Sequence, residues 1–469
     1  MTASSNHDNE ADRREERDSL GVVHVPAWAL WGAQTQRAVD NFGIARAPMP
    51  APFIRALGLV KWAAAGANAE LGLMRTGMAI AIQSAALEVA DNRHDAHFPV
   101  DVLQTGSGTS SNMNANEVIA RLASEGAEVL VHPNDHVNMS QSSNDVIPTC
   151  IAVSTAEALR NDLLPALRGC IECIERRSEE FAAIVKTGRT HLMDAMPITV
   201  GQEFSAWAAQ LAASEERCQS LLPRVCAIAQ GGTAVGTGIN AHPKFGAKVA
   251  VLLSEQTGND FLAADNSFAA IAGQEASVEA AATLKVIAVT LMKIANDLRW
   301  LSSGPLNGLA ELQLPALQPG SSIMPGKVNP VIPEAVAMAA AKLIGNEATV
   351  TVAAQSGNLQ LNVMLPLIGA TLLDGIGIAT RALQALHTQC LAGLTVNSER
   401  LAELSARNPV LVTALNPVIG YELGAKIAKE AYASGRPVRD VALELTDLDA
   451  DELDRLLDPL SLTRGGIQH

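Results

Sequence analysis

Between Ile147 and Gln389 the sequence carries five long segments in which apolar residues recur every three or four positions. They are Cys150–Val185, Val200–Ala229, Ala276–Leu301, Pro333–Ala354 and Leu365–Cys390. Each runs to roughly 20–35 residues, against a mean globular helix of about 11–12. That spacing lays an apolar stripe along one side of a helix, and five such stripes in one block call for a bundle. Their combined apolar faces exceed what one chain can bury, so association through the bundle is expected. Aromatic residues make up only 3% of the chain. Ala, Leu, Val and Ile must therefore fill the core, which suits close-packed helices better than a β-sandwich. The fold class expected is all-α.

The flanks differ from this block. Asp18–Val146 is mixed, with helical stretches such as Phe53–Leu73 and Met78–Val89 between Pro and Gly punctuation. After Asn397 the helical segments are shorter and more charged. The organisation expected is a mainly helical N-terminal domain over 18–146, a long-helix bundle over 147–396 and a small helical C-terminal domain over 397–469. Residues 1–17 mix Asp8, Glu10, Asp12, Glu15 and Glu16 with three arginines. They lack the apolar run of a secretory signal and the acid-poor character of a transit peptide. A disordered tail and a cytoplasmic location are expected.

Charge narrows the partners. A formal net charge of −15 argues against nucleic acid and anionic membranes, which demand basic surface. The least charged stretch, Asn358–Thr380, contains Asp374, Gln360 and Pro366, so it reads as buried helix rather than a clean span of about 20 apolar residues. Six cysteines are scattered along the chain, and the one CxxC, Cys170 and Cys173, sits in a helical pattern with no second pair. It reads as two small residues on one helix face, not as a metal or redox motif.

Four polar strings interrupt the helical background. Gly106-Ser107-Gly108-Thr109-Ser110-Ser111-Asn112-Met113-Asn114 feeds a helix start, so small hydroxyls and backbone N–H groups can converge on a carboxylate. His132–Asp145 contains twelve polar or proline residues in fourteen just before a long apolar helix. The end of that helix offers its dipole to an anion, and the spacing of its histidines matches no zinc pattern. Gly188-Arg189-Thr190-His191-Leu192-Met193-Asp194-Ala195 reads as a turn between two long helices, with a histidine in polar company. Gly320-Ser321-Ser322-Ile323-Met324-Pro325-Gly326-Lys327-Val328-Asn329-Pro330, closed by Glu334, reads as a mobile loop carrying a Ser and a Lys. Its Gly-Lys is not followed by Ser or Thr, which excludes a Walker A loop. Many neutral donors, one Lys and one His without a metal or nucleotide fingerprint suit proton abstraction beside a carboxylate. The carbanion then spreads into an aci-form dianion that preorganised donors must hold.

These strings resemble the signature regions of the fumarase/aspartase superfamily, Gly320–Pro330 most diagnostically. Gly32–Arg37, Gly231–Asn240, Lys293–Arg299 and Leu411–Pro417 support the likeness, which covers roughly Asp18 to Ile467. The resemblance implies a three-domain helical subunit whose central five-helix bundle joins three others in a homotetrameric helical core. It also implies active sites shared between subunits, a small dicarboxylate substrate and no cofactor or metal. Ser321 resembles the general base that takes the C3 proton of malate. Lys327 and Asn329 resemble the holders of the carboxylate that becomes the aci-form. Ser107, Thr109, Ser142, Ser143, Asn144 and Thr190 complete the implied donor set, and His191, oriented by Glu334, would handle the water. His132, Asn134 and Asp135 match a second, non-catalytic dicarboxylate site. Ser142-Ser143-Asn144-Asp145 has the fumarase form, where aspartases usually carry Thr at the second position. Val331-Ile332-Pro333 is closer to the aspartase string, Met139 replaces a Lys frequent in both, and Gln360 departs from the usual Glu. Hydration of fumarate is the activity favoured, aspartate ammonia-lyase the alternative, and a silent structural protein on this fold a third reading.

Overall fold

The computed structural model describes residues 13–125 and 130–466. Helix accounts for 63% of the protein. The strands among the described residues form only two-stranded sheets, so the all-α class holds. The elements fall into two compact units. The first comprises Met1–Pro165, Glu216–Val286 and Lys342–Ala379, and the second Ala166–Glu215, Ile287–Ala341 and Thr380–His469.

The long helices fall where the periodicity places them. They are α5 (Ser143–Ala158) continuing through a wide turn at Leu159–Leu163 into α6 (Leu164–Glu180), α7 (Val200–Val225), α10 (Glu275–Leu301), α11 (Val331–Gln355) and α12 (Leu365–Ala385). The first begins at Ser143, earlier than the expected Cys150. Pro148 lies inside it and costs one i→i−4 bond, that to the Asn144 carbonyl, which the buried flanks tolerate. Leu365–Leu391 is long and apolar enough to cross a membrane by length and composition, but 67% of its apolar window is buried inside the protein.

Shorter helices build the rest of the first unit: α1 (Ala33–Asn41), α2 (Ala51–Glu70), α3 (Thr76–Ala90), α4 (Thr109–Ser124), α8 (Phe245–Thr257) and α9 (Ser267–Ala272). Helix α2 is the hub, packing on α3, α5 and α8. Its small residues permit a close approach: a Cβ at Gly58 would lie 2.6 Å from the Ala86 carbonyl oxygen and 2.6 Å from the Ala90 nitrogen on α3. Within its apolar face α2 also buries Lys61 and Asn68.

Two hairpins depart from the sequence reading. The tail expected over 1–17 lies outside the described residues up to residue 12. From Arg13 the chain is strand β1 (Arg13–Asp18), paired antiparallel with β2 (Gly21–Pro26). Arg14 fixes it by donating to the carbonyls of Pro26 and Ala29. In the second unit, Val185–Thr190 (β3) and Met193–Thr199 (β4) form an antiparallel pair where only a turn was expected. The C-terminal helices close on their own apolar cluster, in which Leu415, Ile427, Val441 and Leu453 are fully buried.

Candidate active site

In the first unit the polar strings converge on the start of α5. Ser142 is its N-cap: Ser142 Oγ accepts from the Asn144 N–H at 3.3 Å, and Asp145 Oδ1 accepts from the Ser142 N–H at 2.9 Å, a closed capping box. The other Asp145 oxygen accepts from the Gly231 and Thr233 N–H groups at 3.0 and 2.9 Å. Asn144 Nδ2 donates to the Ala234 carbonyl at 2.8 Å. One buried carboxylate thus ties the Gly231–Thr233 loop to the helix start. Burial pushes Asp145 up to about 6, against the opposing pull of the three backbone N–H groups and of Lys61.

The Gly106 string delivers its hydroxyls by backbone geometry. Gly106 lies against the Val363 backbone so closely that a Cβ would fall 1.7 Å from the Val363 carbonyl oxygen. Gly108 caps α4 in the left-handed region, at φ 73°. Ser107 Oγ and Thr109 Oγ1 are 2.8 Å apart and half-buried. Asn112, fully buried, donates to Ser143 Oγ at 3.0 Å. Hydroxyls, amides and the α5 N-terminus therefore share one unit, and this set suits an anion.

His132, Asn134 and Asp135 lie apart from that set, exposed on a wide turn over Pro133–Val137. His132 Nδ1 lies 3.1 Å from the Asp135 amide nitrogen and 3.2 Å from an Asp135 carboxylate oxygen. The neutral ring accepts from the amide, whereas the protonated ring donates to the carboxylate.

In the second unit, Thr190 and His191 occupy the tip of the β3–β4 hairpin. His191 and Leu192, the two turn residues, have φ of 55° and 62°. Such a turn normally takes Asn-Gly, and a Leu there is strained. Below the tip, Lys186 and Glu311 are almost wholly buried. Lys186 Nζ pairs with Glu203 at 2.7 Å and with Glu311 at 2.6 Å, and Arg189 reaches Glu311 at 2.5 Å. This ion cluster anchors the strand that ends in Thr190.

The Gly320 loop, also in the second unit, is closed by its own backbone. The Gly320 N–H donates to the Lys327 carbonyl at 2.8 Å, and Asn329 Nδ2 donates to the Gly320 carbonyl at 2.8 Å. Ser321 Oγ accepts from the Ile323 and Met324 N–H groups at 3.3 and 3.1 Å. Two donors on one hydroxyl oxygen favour its anionic form. Lys327, Asn329 and Glu334 line a cleft of about 1390 Å³ together with Asn296, Arg299 and Gln313. Glu334 stands in the first turn of α11. No hydrogen bond joins it to His191 among the described residues.

A family model described as lyase matches residues 21–345, and one described as fumarase C C-terminus matches residues 411–464. The chain belongs to the class II fumarase family. A fumarate hydratase class II of Xylella fastidiosa is 56% identical over 454 residues, covering 97% of this chain and 96% of its own length. A fumarate hydratase class II of Mycobacterium tuberculosis is 50% identical, covering 97% of both chains. Among solved structures, the class II fumarase of Schistosoma mansoni superimposes with a TM-score of 0.93 at 39% identity, covering 96% of this chain and 99% of its own.

As a class II fumarase family member, the chain holds the sequence-expected residues in four groups: the α5 cap with Ser107 and Thr109, the exposed turn with His132, Asn134 and Asp135, the hairpin tip, and the Ser321 loop with Glu334. Sequence reasoning missed the supports. Asp145 ends the polar string but was assigned no task. Asn112 passed as a string member. Lys61 gave a signal in Leu57-Gly58-Leu59-Val60-Lys61-Trp62-Ala63, a lone cation inside a helix segment otherwise apolar.

Proposed function

We propose that this class II fumarase family member is a fumarate hydratase, which interconverts fumarate and L-malate by anti addition of water through an aci-carboxylate intermediate. The observation that carries the reading is the set of relatives at 50–56% identity over nearly the whole chain, named as fumarate hydratases. In malate dehydration, Ser321 as alkoxide takes the C3 proton. The electron pair moves into the adjacent carboxylate, which Lys327 and Asn329 hold as the aci-form. Collapse of that dianion expels the C2 hydroxyl, which leaves as water on receiving a proton from His191, oriented by Glu334 only once copies of the chain assemble. Ser107, Thr109, Ser142, Ser143, Asn144 and Thr190 donate to the substrate carboxylates. Neutral donors and the Lys327 ammonium overcome a net charge of −15 locally, since preorganised donors stabilise charge without reorganising. His132, Asn134 and Asp135 form a second dicarboxylate site outside the chemistry.

The functional unit is a cytoplasmic homotetramer of three-domain subunits, divided at 18–146, 147–396 and 397–469, with active sites shared between copies. What supports this is the apolar surface left on the long helices: Val289 on α10 and Met338 and Val352 on α11 are more than half exposed, and such faces mark association.

Fumarate absorbance in the ultraviolet, without and then with ammonium, tests the reading. Loss of fumarate without ammonium, with malate running backwards, is expected. Loss only with ammonium would make the chain an aspartate ammonia-lyase.

A further inference from the structure

We infer that Asn112 is a positioning residue that fixes the polarity of the Ser143 hydroxyl, leaving its proton free to donate to the substrate carboxylate. This rests on the hydratase reading and deepens it. The chain of bonds begins at Lys61, which is 0% exposed. Its Nζ donates to Asn138 Oδ1 and to Gln141 Oε1, each at 3.0 Å. An amine facing these amides requires their oxygens, not their nitrogens. The opposite ends agree: Asn138 Nδ2 donates to the Gln141 carbonyl, and Gln141 Nε2 donates to the Val137 and Met139 carbonyls. Asn138 Oδ1 is therefore fixed as an acceptor.

Asn112 must then present its NH2 to that oxygen, which it does at 3.2 Å, and the same NH2 donates to Ser143 Oγ at 3.0 Å. Asn116 adds a third donor, its side-chain amide, to Asn138 Oδ1 at 3.2 Å. The arrangement leaves the buried oxygens of Asn112 and Asn116 without a hydrogen-bond partner. Buried polar atoms are rarely left so, and turning either amide over would set oxygen against oxygen. Ser143 Oγ receives a proton from Asn112 and cannot return one to it, so the Ser143 proton points elsewhere. Burial brings Lys61 down to about 7, even with Asp145 nearby to favour the charge. In either protonation state Nζ keeps two hydrogens for its two oxygens, so the polarity of the chain survives across neutral pH.

The test compares fumarate and malate kinetics of the full-length wild type with Asn112→Asp, Asn112→Leu, Ser143→Ala and the Asn112→Asp/Ser143→Ala double variant. Asn112→Asp is nearly isosteric but only accepts, so it captures the Ser143 proton. KM should rise roughly tenfold, the order of one hydrogen bond to a charged group, with kcat changing far less. Asn112→Leu removes the bond without capturing the proton, so its KM should rise less despite the poorer fit. The double variant should match Ser143→Ala alone, because both act through one proton. Multiplied effects in the double variant, or a larger KM for Leu than for Asp, would overturn the inference. If the Asp variant fails to assemble, Ser143→Ala decides: an unchanged KM overturns the inference and a raised KM upholds donation by that hydroxyl. A wild type without hydratase activity overturns the functional reading instead.

Discussion

The two donor-bearing regions are built in opposite ways. The Ser142–Asp145 cap is held from behind by buried groups: Asp145 binds three backbone N–H groups, and Asn112 braces Ser143. The Gly320–Pro330 loop is exposed over most of its length and closed mainly by its own backbone. A region that only binds gains from rigidity, since fixed donors lose no entropy on meeting the substrate. A region that moves a proton must keep its base reachable and its environment adjustable. The contrast fits the proposed roles, recognition in the first and chemistry in the second, and each side of it can be broken separately.

The largest effect is expected at Ser321. Ser321→Ala removes the proposed general base and should lower kcat by at least about a thousandfold, with the proposed tetramer intact by size-exclusion chromatography. Retained turnover would move the base elsewhere and erase the contrast. Next comes the ion cluster beneath the hairpin. Glu311→Ala strips the shared partner of Lys186 and Arg189 and should cost about 3–5 kcal/mol of stability, because it leaves two cations against the single carboxylate of Glu203. Urea unfolding measures it, and a loss below about 1 kcal/mol would show that the cluster does not anchor Thr190 and His191.

The cap should respond more gently, and with a distinct pH signature. Asp145 is raised to about 6 from 3.8 by burial. Across that window the unfolded chain has already released the proton that the native state retains, so stability falls as pH rises from about 4 to about 6. Asp145→Asn should remove that slope. It should also loosen the Gly231–Thr233 loop and raise KM more than it lowers kcat. An unchanged pH–stability slope in the variant would show that Asp145 titrates normally and that burial does not strain the cap.

How legible these regions were follows from what each is made of. The long helices announce themselves because an apolar stripe must repeat over many turns. The Ser321 loop stands out because glycines, prolines and hydroxyls break that repeat. Asp145, Asn112 and Lys61 do not: their worth lies in partners many residues away, as Lys61 with Asn138, and no local pattern records a long-range hydrogen bond. The β3–β4 hairpin was hidden for another reason. Its turn is His191-Leu192, without the Asn-Gly that identifies a tight hairpin, so the segment read as a loop between helices.

That missing turn signal offers the smallest and sharpest test. Leu192 sits at φ 62° and is 69% exposed in the subunit, where a β-branched or bulky side chain gains nothing and strains the backbone. If the hairpin tip stood free in the assembled protein, Leu192→Gly would relieve that strain and stabilise the fold by about 1 kcal/mol. The proposed assembly predicts otherwise. Leu192 and Met193, both 69% exposed, would be covered by a neighbouring copy, because His191 must reach a substrate held by the donors of another subunit. Leu192→Gly should therefore leave thermal stability unchanged or lowered at high protein concentration, and weaken the tetramer on dilution. A gain in melting temperature that ignores concentration would show a tip held by no neighbour. The hairpin would then rank with neither region, and His191 would lose its claim to the leaving water.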